Sequence, residues 1–455
     1  MDKNADGRQS IVSERMIKFG NRSRKNVCFT IVLLAFVAGC FFLNKNHLIE
    51  QGIYQDRHVA LAQNILNGHG YSYRADSNQP AFYPLWGYPL LVMLGLSVGH
   101  PGLVLLLIQG LLCIVAIKLF YKLFKLEYRY RHLILLLPFV VIMSAKIPDA
   151  IVDALLFFVF CYGVRYIEKG SLKALIPTAL LMGVIGNFRS DYLFVPILIL
   201  SFSILPHFRN YRRRVAILCG AITVATVVLL IPWSARSFLY DGQWRLTATN
   251  GGLVAYISLG QLPGNPWGIK HVDDDGWRYT ARHGVNDPYS TEGEALLKGA
   301  TIRLIKDHPG AYIIKVGHNL LRSLIGGVYT GEYANLTIEK ERLNQIWVLT
   351  QQVGRWQGIK SVRFTEAGAL AVNFMIAKIY CLIFIVLLVF WSKAFYIYRE
   401  SSRKLLIGLG ACFIFYKLLI VSFLQYQPRH MNAVYLMVLG AALVLWRERP
   451  RKDAG

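Results

Sequence analysis

Apolar runs about as long as a bilayer is thick alternate with short basic segments along almost the whole chain, and this alternation constrains the fold more than any motif does. Residues 27–43, 215–231, 370–391 and 405–424 approach or reach the ~20 residues that a helix needs to cross the hydrocarbon core. In lipid the backbone must satisfy its own hydrogen bonds, and a helix does so within one segment. With 455 residues, 55% of them hydrophobic, the sequence predicts an all-α polytopic membrane protein.

The formal charge of +24 invites a nucleic-acid reading, but the basic residues are clustered between apolar runs as the positive-inside bias requires. No basic domain interleaved with aromatics is present, so nucleic acid is not an expected partner. Five basic clusters order the chain: Lys3 to Lys25 in the N-terminal tail; Lys122, Lys125, Arg129 and Arg131; Arg209 and Arg212 to Arg214; Lys393, Arg399, Arg403 and Lys404; and Arg447 to Lys452. Between them lie expected spans at 27–43, 101–120, 132–147, 150–167, 173–187, 191–206, 215–232, 369–391, 405–424 and 431–446, about ten crossings with both termini cytoplasmic.

Residues 85–98 are too short for a span, and counting them as one would put the 122–131 cluster outside. They are expected to lie along the outer membrane face, anchored by Trp86 and Tyr88. Residues 311–328 read as a second interfacial helix, with Ile313, Val316, Leu320 and Leu324 opposite Lys315, His318 and Arg322. The expected organisation is a cytoplasmic tail (1–26), an N-terminal transmembrane module (27–232) carrying a first outer loop (44–100), and an outer loop domain (233–368). C-terminal transmembrane helices (369–446) and a second cytoplasmic tail (447–455) follow. The seven cysteines all fall in apolar segments, which leaves none for an outer disulfide. Val37 to Cys40 has the look of a lipoprotein cleavage box, but an uncleaved first span acting as signal anchor is the expectation.

Several polar residues stand at expected outer ends of spans. Asp56 precedes a short amphipathic helix, 56–67, with Val59, Ala62, Ile65 and Leu66 on one face and Gly68 and Gly70 ending it. There the acid can cap the helix, or stay ionised and accept a proton as a general base. Asp149 and Asp153 are four apart and share a helix face, suited to binding substrate or a cation or to holding an arginine. Arg189, Arg236 and Arg429 can bind an anion or snorkel to lipid phosphates, and His430 can donate beside Arg429 or make a structural hydrogen bond. Asp273 to Asp275 lack the spacing of a calcium loop and read as a solvated turn.

The run from Asp56 through Ala60-Leu-Ala-Gln-Asn to Gly68-His-Gly-Tyr-Ser-Tyr73, followed by Phe82-Tyr-Pro-Leu-Trp-Gly-Tyr-Pro89, resembles the first periplasmic loop of GT-C glycosyltransferases. The nearest likeness is to bacterial members of the protein O-mannosyltransferase and aminoarabinose transferase superfamily. Arg189-Ser-Asp-Tyr192, Pro232-Trp-Ser-Ala-Arg236 and Gln427-Pro-Arg-His430 resemble later motifs of the same family. The resemblance implies a GT-C-like fold and an inverting glycosyltransferase of the bacterial inner membrane. Its donor would be a polyprenyl-phosphate-linked sugar, and its acceptor a glycan, a lipid or a protein. Asp56 would be the general base, Arg429, Arg189, Arg236 and His430 would meet the donor phosphate, and Tyr83, His58, Asp149 and Asp153 would contact substrate. Relatives often carry a second acid after the first, where this chain has Arg57, and a Tyr where it has His430. These departures leave the acceptor unassigned and no confident cofactor, with a divalent metal left open. A polysaccharide or lipid transporter and a non-catalytic envelope-assembly protein are the rival readings; the first would show midplane charges and paired halves, the second would tolerate loss of Asp56.

Overall fold

The apolar runs form helices, and no strand occurs among the described residues. The computed structural model describes residues 27–39, 41, 57–73, 80–144, 148–204, 206–326, 364–397, 401–423 and 432–447. Its helices are α1 (Val27–Gly39), α2 (Arg57–Leu66), α3 (Gly87–Ser97), α4 (Pro101–Leu123), α5 (Arg131–Ser144), α6 (Pro148–Lys169), α7 (Leu172–Phe188), α8 (Val195–Phe202) and α9 (Arg212–Asp241). There follow α10 (Gly251–Ser258), α11 (Asp273–Arg282), α12 (Thr291–Asp307), α13 (Pro309–Gly326), α14 (Phe364–Ile397), α15 (Ser401–Phe423) and α16 (Asn432–Arg447).

Three helical segments are long and apolar enough to cross a membrane: α4, α6, and α9 with the 3₁₀ turn before it (Arg209–Asp241). α6 is central, with 89% of its apolar window buried against 33% for each of the other two. A helix apolar on every side is one that is packed on every side. The outer helices instead expose stripes at intervals of four residues, Leu103, Leu107, Leu111 and Val115 on α4, and Leu172, Ile176, Leu180 and Val184 on α7. A soluble monomer does not leave such contiguous apolar faces in water; lipid is the solvent that suits them.

The bundle's two ends differ in chemistry. At one end Phe29, at the start of α1, packs edge-on against Tyr121 near the end of α4, and Lys125 faces Glu168 near the end of α6. The basic segment after α4 therefore meets the end of α6, to whose carbonyls Arg214 of the 209–214 cluster also donates. At the opposite end the start of α6 is bonded to the residue after α7 through Asp149 and Arg189. α3 belongs to this second end at both its termini. Trp86 donates to Asn187 at the end of α7, and Gly95 lies against Pro101, the first residue of α4. α3 thus folds back on the bundle without crossing it.

Close helix contacts depend on missing side chains. A Cβ on Gly183 would stand 2.8 Å from the Leu229 side chain and 2.9 Å from the Ala225 carbonyl, so α7 and α9 touch there backbone to backbone. Gly183→Leu should lower stability by about 1–3 kcal/mol, the range for overpacking. This would appear as a lower thermal midpoint in detergent, with exposed Val184→Leu as the neutral control.

Four sequence expectations are corrected. The expected 191–206 span is broken into a 3₁₀ turn (Ser190–Phe194), the eight-residue α8 and a second 3₁₀ turn (Pro206–Tyr211), with prolines at 196 and 206 opening the last two. Tyr88 is buried edge-on to His58 and so does not anchor an interface, while half-buried Trp86 donates its indole N–H to Asn187. α2 buries Leu61, Ala62 and Asn64, because Asn64 Nδ2 donates to the Ser72 carbonyl, and it leaves Leu66 exposed. Asp273 to Asp275 form the first turn of α11, where the helix dipole favours acids, and Asp275 pairs with Arg278. The two glycines expected to stop α2 do so, with φ of 78° at Gly68 and 75° at Gly70.

Beyond α9, α10 to α13 build a small helical domain on a core of Leu253, Ile257, Leu297 and Ala300. α13 turns its polar side inward: Lys315, Asn319 and Ser323 are fully buried, while Ile313, Ile314, Leu321 and Ile325 are exposed. The partners explain this. Lys315 Nζ donates to the carbonyl of Phe423 at the end of α15 (2.8 Å), and Asn319 Nδ2 donates to Gln261 (2.8 Å). Burial pushes the Lys315 amine down to about 7. Among the described residues, cysteines 28, 113, 161, 219 and 381 form no disulfide; Cys40 and the Cys412 side chain lie outside the described residues.

Candidate functional site

Two polar clusters occupy the end of the bundle at which α6 begins and α7 finishes. The first is buried. Asp149 lies in the first turn of α6, and Asp153 follows one turn later. Arg189 sits in extended backbone between α7 and the 3₁₀ turn. Its guanidinium holds Asp149 on one arm and forks onto Asp191, Nε to Oδ1 at 2.9 Å and Nη2 to Oδ2 at 3.2 Å. α15 contributes Lys417, whose Nζ lies 4.2 Å from the Tyr192 ring centroid, and Tyr416, whose ring is 6.0 Å from that of Tyr192. Lys417 is within electrostatic reach of Asp191, Asp153 and Asp149.

Three carboxylates therefore face two cations, with Asp149, Asp153 and Lys417 buried and Arg189 and Asp191 partly exposed at the edge. Asp153 and Lys417 are each only 2% exposed, so this charge can be kept only through mutual pairing. That pairing is incomplete: Asp153 Oδ2 and the Tyr416 hydroxyl have no hydrogen-bond partner among the described residues. Each of these atoms can still take a hydrogen bond from a polar ligand.

The second cluster forms where the first loop meets the small domain. The Arg57 guanidinium lies 3.7 Å from the Tyr289 ring centroid and is walled by Trp277 (5.5 Å), Tyr73 (5.6 Å) and Tyr83 (5.9 Å). Tyr83 stacks on Tyr289 at 4.7 Å with the rings 8° from parallel. Burial pushes the phenols of Tyr73 and Tyr289 well above their ordinary values, so both remain neutral donors. A cation enclosed by neutral rings fixes the start of α2 against the small domain.

Arg236, expected at the donor phosphate, is placed as a clamp on the first loop. It donates to the Ala81 carbonyl (2.9 Å) and the Tyr71 carbonyl (2.8 Å), among the rings of Tyr71, Phe82, Trp233 and Tyr240. His58 packs on Tyr88 at 4.9 Å on the side of α2 facing α3. Thus Arg189 and Asp149 are joined directly, Asp153 adjoins them, and Tyr83 belongs with Arg57. Arg236 and His58 each sit in separate contacts of the first loop. Asp56, Arg429 and His430 lie outside the described residues; in sequence Asp56 precedes Arg57, and Arg429 and His430 fall between α15 and α16.

Sequence reasoning quoted Tyr192 within the Arg189 motif but did not single out Lys417, Tyr416, Trp277 or Tyr289. Lys417 did carry a signal, as a cation within the otherwise apolar 405–424 run. Tyr416, Trp277 and Tyr289 carried none, because their convergence is tertiary. Among the described residues no group of three or more His, Cys, Asp or Glu could hold a metal ion. No protein-family model matches the chain, and neither a curated protein nor a solved structure shows significant similarity to it.

Proposed function

We propose that this chain is a multi-pass inverting glycosyltransferase of GT-C type, with about ten crossings and both termini cytoplasmic. It would move a sugar from a polyprenyl-phosphate carrier to a glycan, lipid or protein acceptor at the outer face of a bacterial inner membrane. The observation that carries the reading is the buried cluster of Asp149, Asp153, Arg189, Asp191 and Lys417, at the end of an apolar bundle to which the Asp56-bearing loop is tied. Ionisable groups in such surroundings are costly and mark functional sites.

In this scheme Asp56 takes the proton from an acceptor hydroxyl or amine as that atom attacks the anomeric carbon. The bond from the anomeric carbon to the phosphate oxygen breaks on the opposite face, and its electron pair leaves with the lipid phosphate. Arg189 already holds two carboxylates, so its part is to order Asp149 and Asp191. The departing phosphate then falls to Arg429 and His430, at the α15–α16 connection. Asp153 and Tyr416 are left to hydrogen-bond the sugar or the acceptor.

Donor and acceptor kinetics test the phosphate assignment. Arg429→Ala should impair donor use far more than acceptor use, and Arg429→Lys should restore it only in part, since an ammonium lacks the fork geometry. Equal inhibition of wild type and Arg429→Ala by the polyprenyl-phosphate product would place the phosphate elsewhere. Topology has its own check. Cysteines substituted at His100 and Arg129 should label from outside and inside respectively in intact cells, and outside labelling at 129 would overturn the ten-span arrangement.

A further inference from the structure

Between α4, α6 and α7 the surface of the bundle opens into a groove of about 440 Å³. Its walls include Val115 and Leu119 of α4, Phe158 and Tyr162 of α6, and Ile176 and Leu180 of α7. The Tyr162 phenol is the one polar side chain lining it, so the groove offers dispersion contacts and little else. It adjoins the exposed apolar stripes of α4 and α7 and is therefore open to lipid. It also lies away from the acid cluster: Tyr162 is nine residues along α6 from Asp153, about 14 Å at 1.5 Å per residue.

Each groove-lining helix carries a basic residue on the same face, nearer the basic end of the bundle. On α4, Lys118 and Lys122 are three residues beyond Val115 and Leu119. On α6, Arg165 is three beyond Tyr162, and on α7, which runs the other way, Lys173 is three before Ile176. Residues three apart on a helix are neighbours on one face. All four are exposed, and none makes an ion pair among the described residues. Of the acids at this end, Glu168 faces Lys169 and Lys125, and Glu127 pairs with Arg129. An apolar slot with four uncompensated cations at its mouth matches a lipid whose phosphate is anionic and whose chains are hydrocarbon.

We propose that this groove is a binding site for an anionic glycerophospholipid of the leaflet at the basic end. One acyl chain lies between α4, α6 and α7, and the phosphate lies among Lys118, Lys122, Arg165 and Lys173. The site is independent of glycosyl transfer and of Asp56; it requires only that the bundle sit in a bilayer.

The test uses the full chain in a neutral detergent, titrated with dioleoylphosphatidylglycerol or dioleoylphosphatidylcholine. Its readouts are the thermal midpoint and the phosphorus retained after repurification. Phosphatidylglycerol should raise the midpoint saturably and be retained, and phosphatidylcholine should not. Lys122→Gln and Lys173→Gln, both at exposed positions, should each weaken phosphatidylglycerol binding about fivefold. Leu180→Trp should fill the groove and abolish the saturable rise. Equal effects of the two lipids, or unchanged binding in the Gln variants, would overturn the proposal. So would displacement of phosphatidylglycerol by an equimolar polyprenyl phosphate, which would give the groove to the tail of the donor carrier.

Discussion

Asp56→Asn should insert and fold as wild type does yet lose sugar transfer. The amide keeps the size of the carboxylate and can still accept a hydrogen bond at the start of α2, but it cannot take a proton at neutral pH. Loss of general-base assistance costs about 10²–10⁴-fold in rate. Membrane yield and thermal midpoint would stay put, because Arg57, locked over Tyr289, and the buried Leu61 and Ala62 hold α2 in place whatever precedes them. Near wild-type transfer by the Asn variant in native membranes would return Asp56 to the role of a helix cap. Arg57→Ala separates chemistry from position. It should lower transfer together with the melting midpoint, since it releases the start of α2 from the Tyr73, Tyr83, Trp277 and Tyr289 enclosure.

Arg189→Leu should cost more stability than Gly183→Leu or Arg57→Ala. Its guanidinium is the partner of both Asp149 and Asp191, and the three acids of the cluster would face Lys417 alone. Removing one member of a buried ion pair costs about 3–5 kcal/mol, because a desolvated charge is left behind. Thermal unfolding in detergent, with membrane yield as a second readout, measures it. Asp149→Asn in the same background should recover part of the loss, and a double-mutant cycle would return the coupling between the two. An unchanged midpoint for Arg189→Leu would mean that the acids are already neutral in the folded protein, leaving no ionic cluster for a substrate to meet.

Much of this architecture is local and therefore legible in the residues. A helix in lipid closes its own hydrogen bonds, so hydropathy alone locates α4, α6, α7 and α9, and Gly68 and Gly70 mark the end of α2 wherever that helix packs. Charge along the chain likewise indicates that the segments after α4 and after α6 share an end, as the nearness of Lys125 to Glu168 shows. Expectation and structure part where a residue's partner comes from a distant segment. Arg189 and Asp149 are forty positions apart, Arg57 and Tyr289 more than two hundred, and no periodicity announces either pair. The same limit explains α13. Its amphipathic pattern is plain in the residues, but the choice of buried face is made by the Phe423 carbonyl and by Gln261, which give its polar stripe hydrogen-bond partners and leave its isoleucines exposed. It also explains Tyr88, whose aromatic character suits an interface until burial against His58 gives it a better partner. Sequence by itself determined which segments are helical and which are apolar, because those properties are satisfied within a few turns of chain. Only the tertiary structure decided which charges meet, because pairing a buried charge needs a second charge that the fold alone can bring within reach.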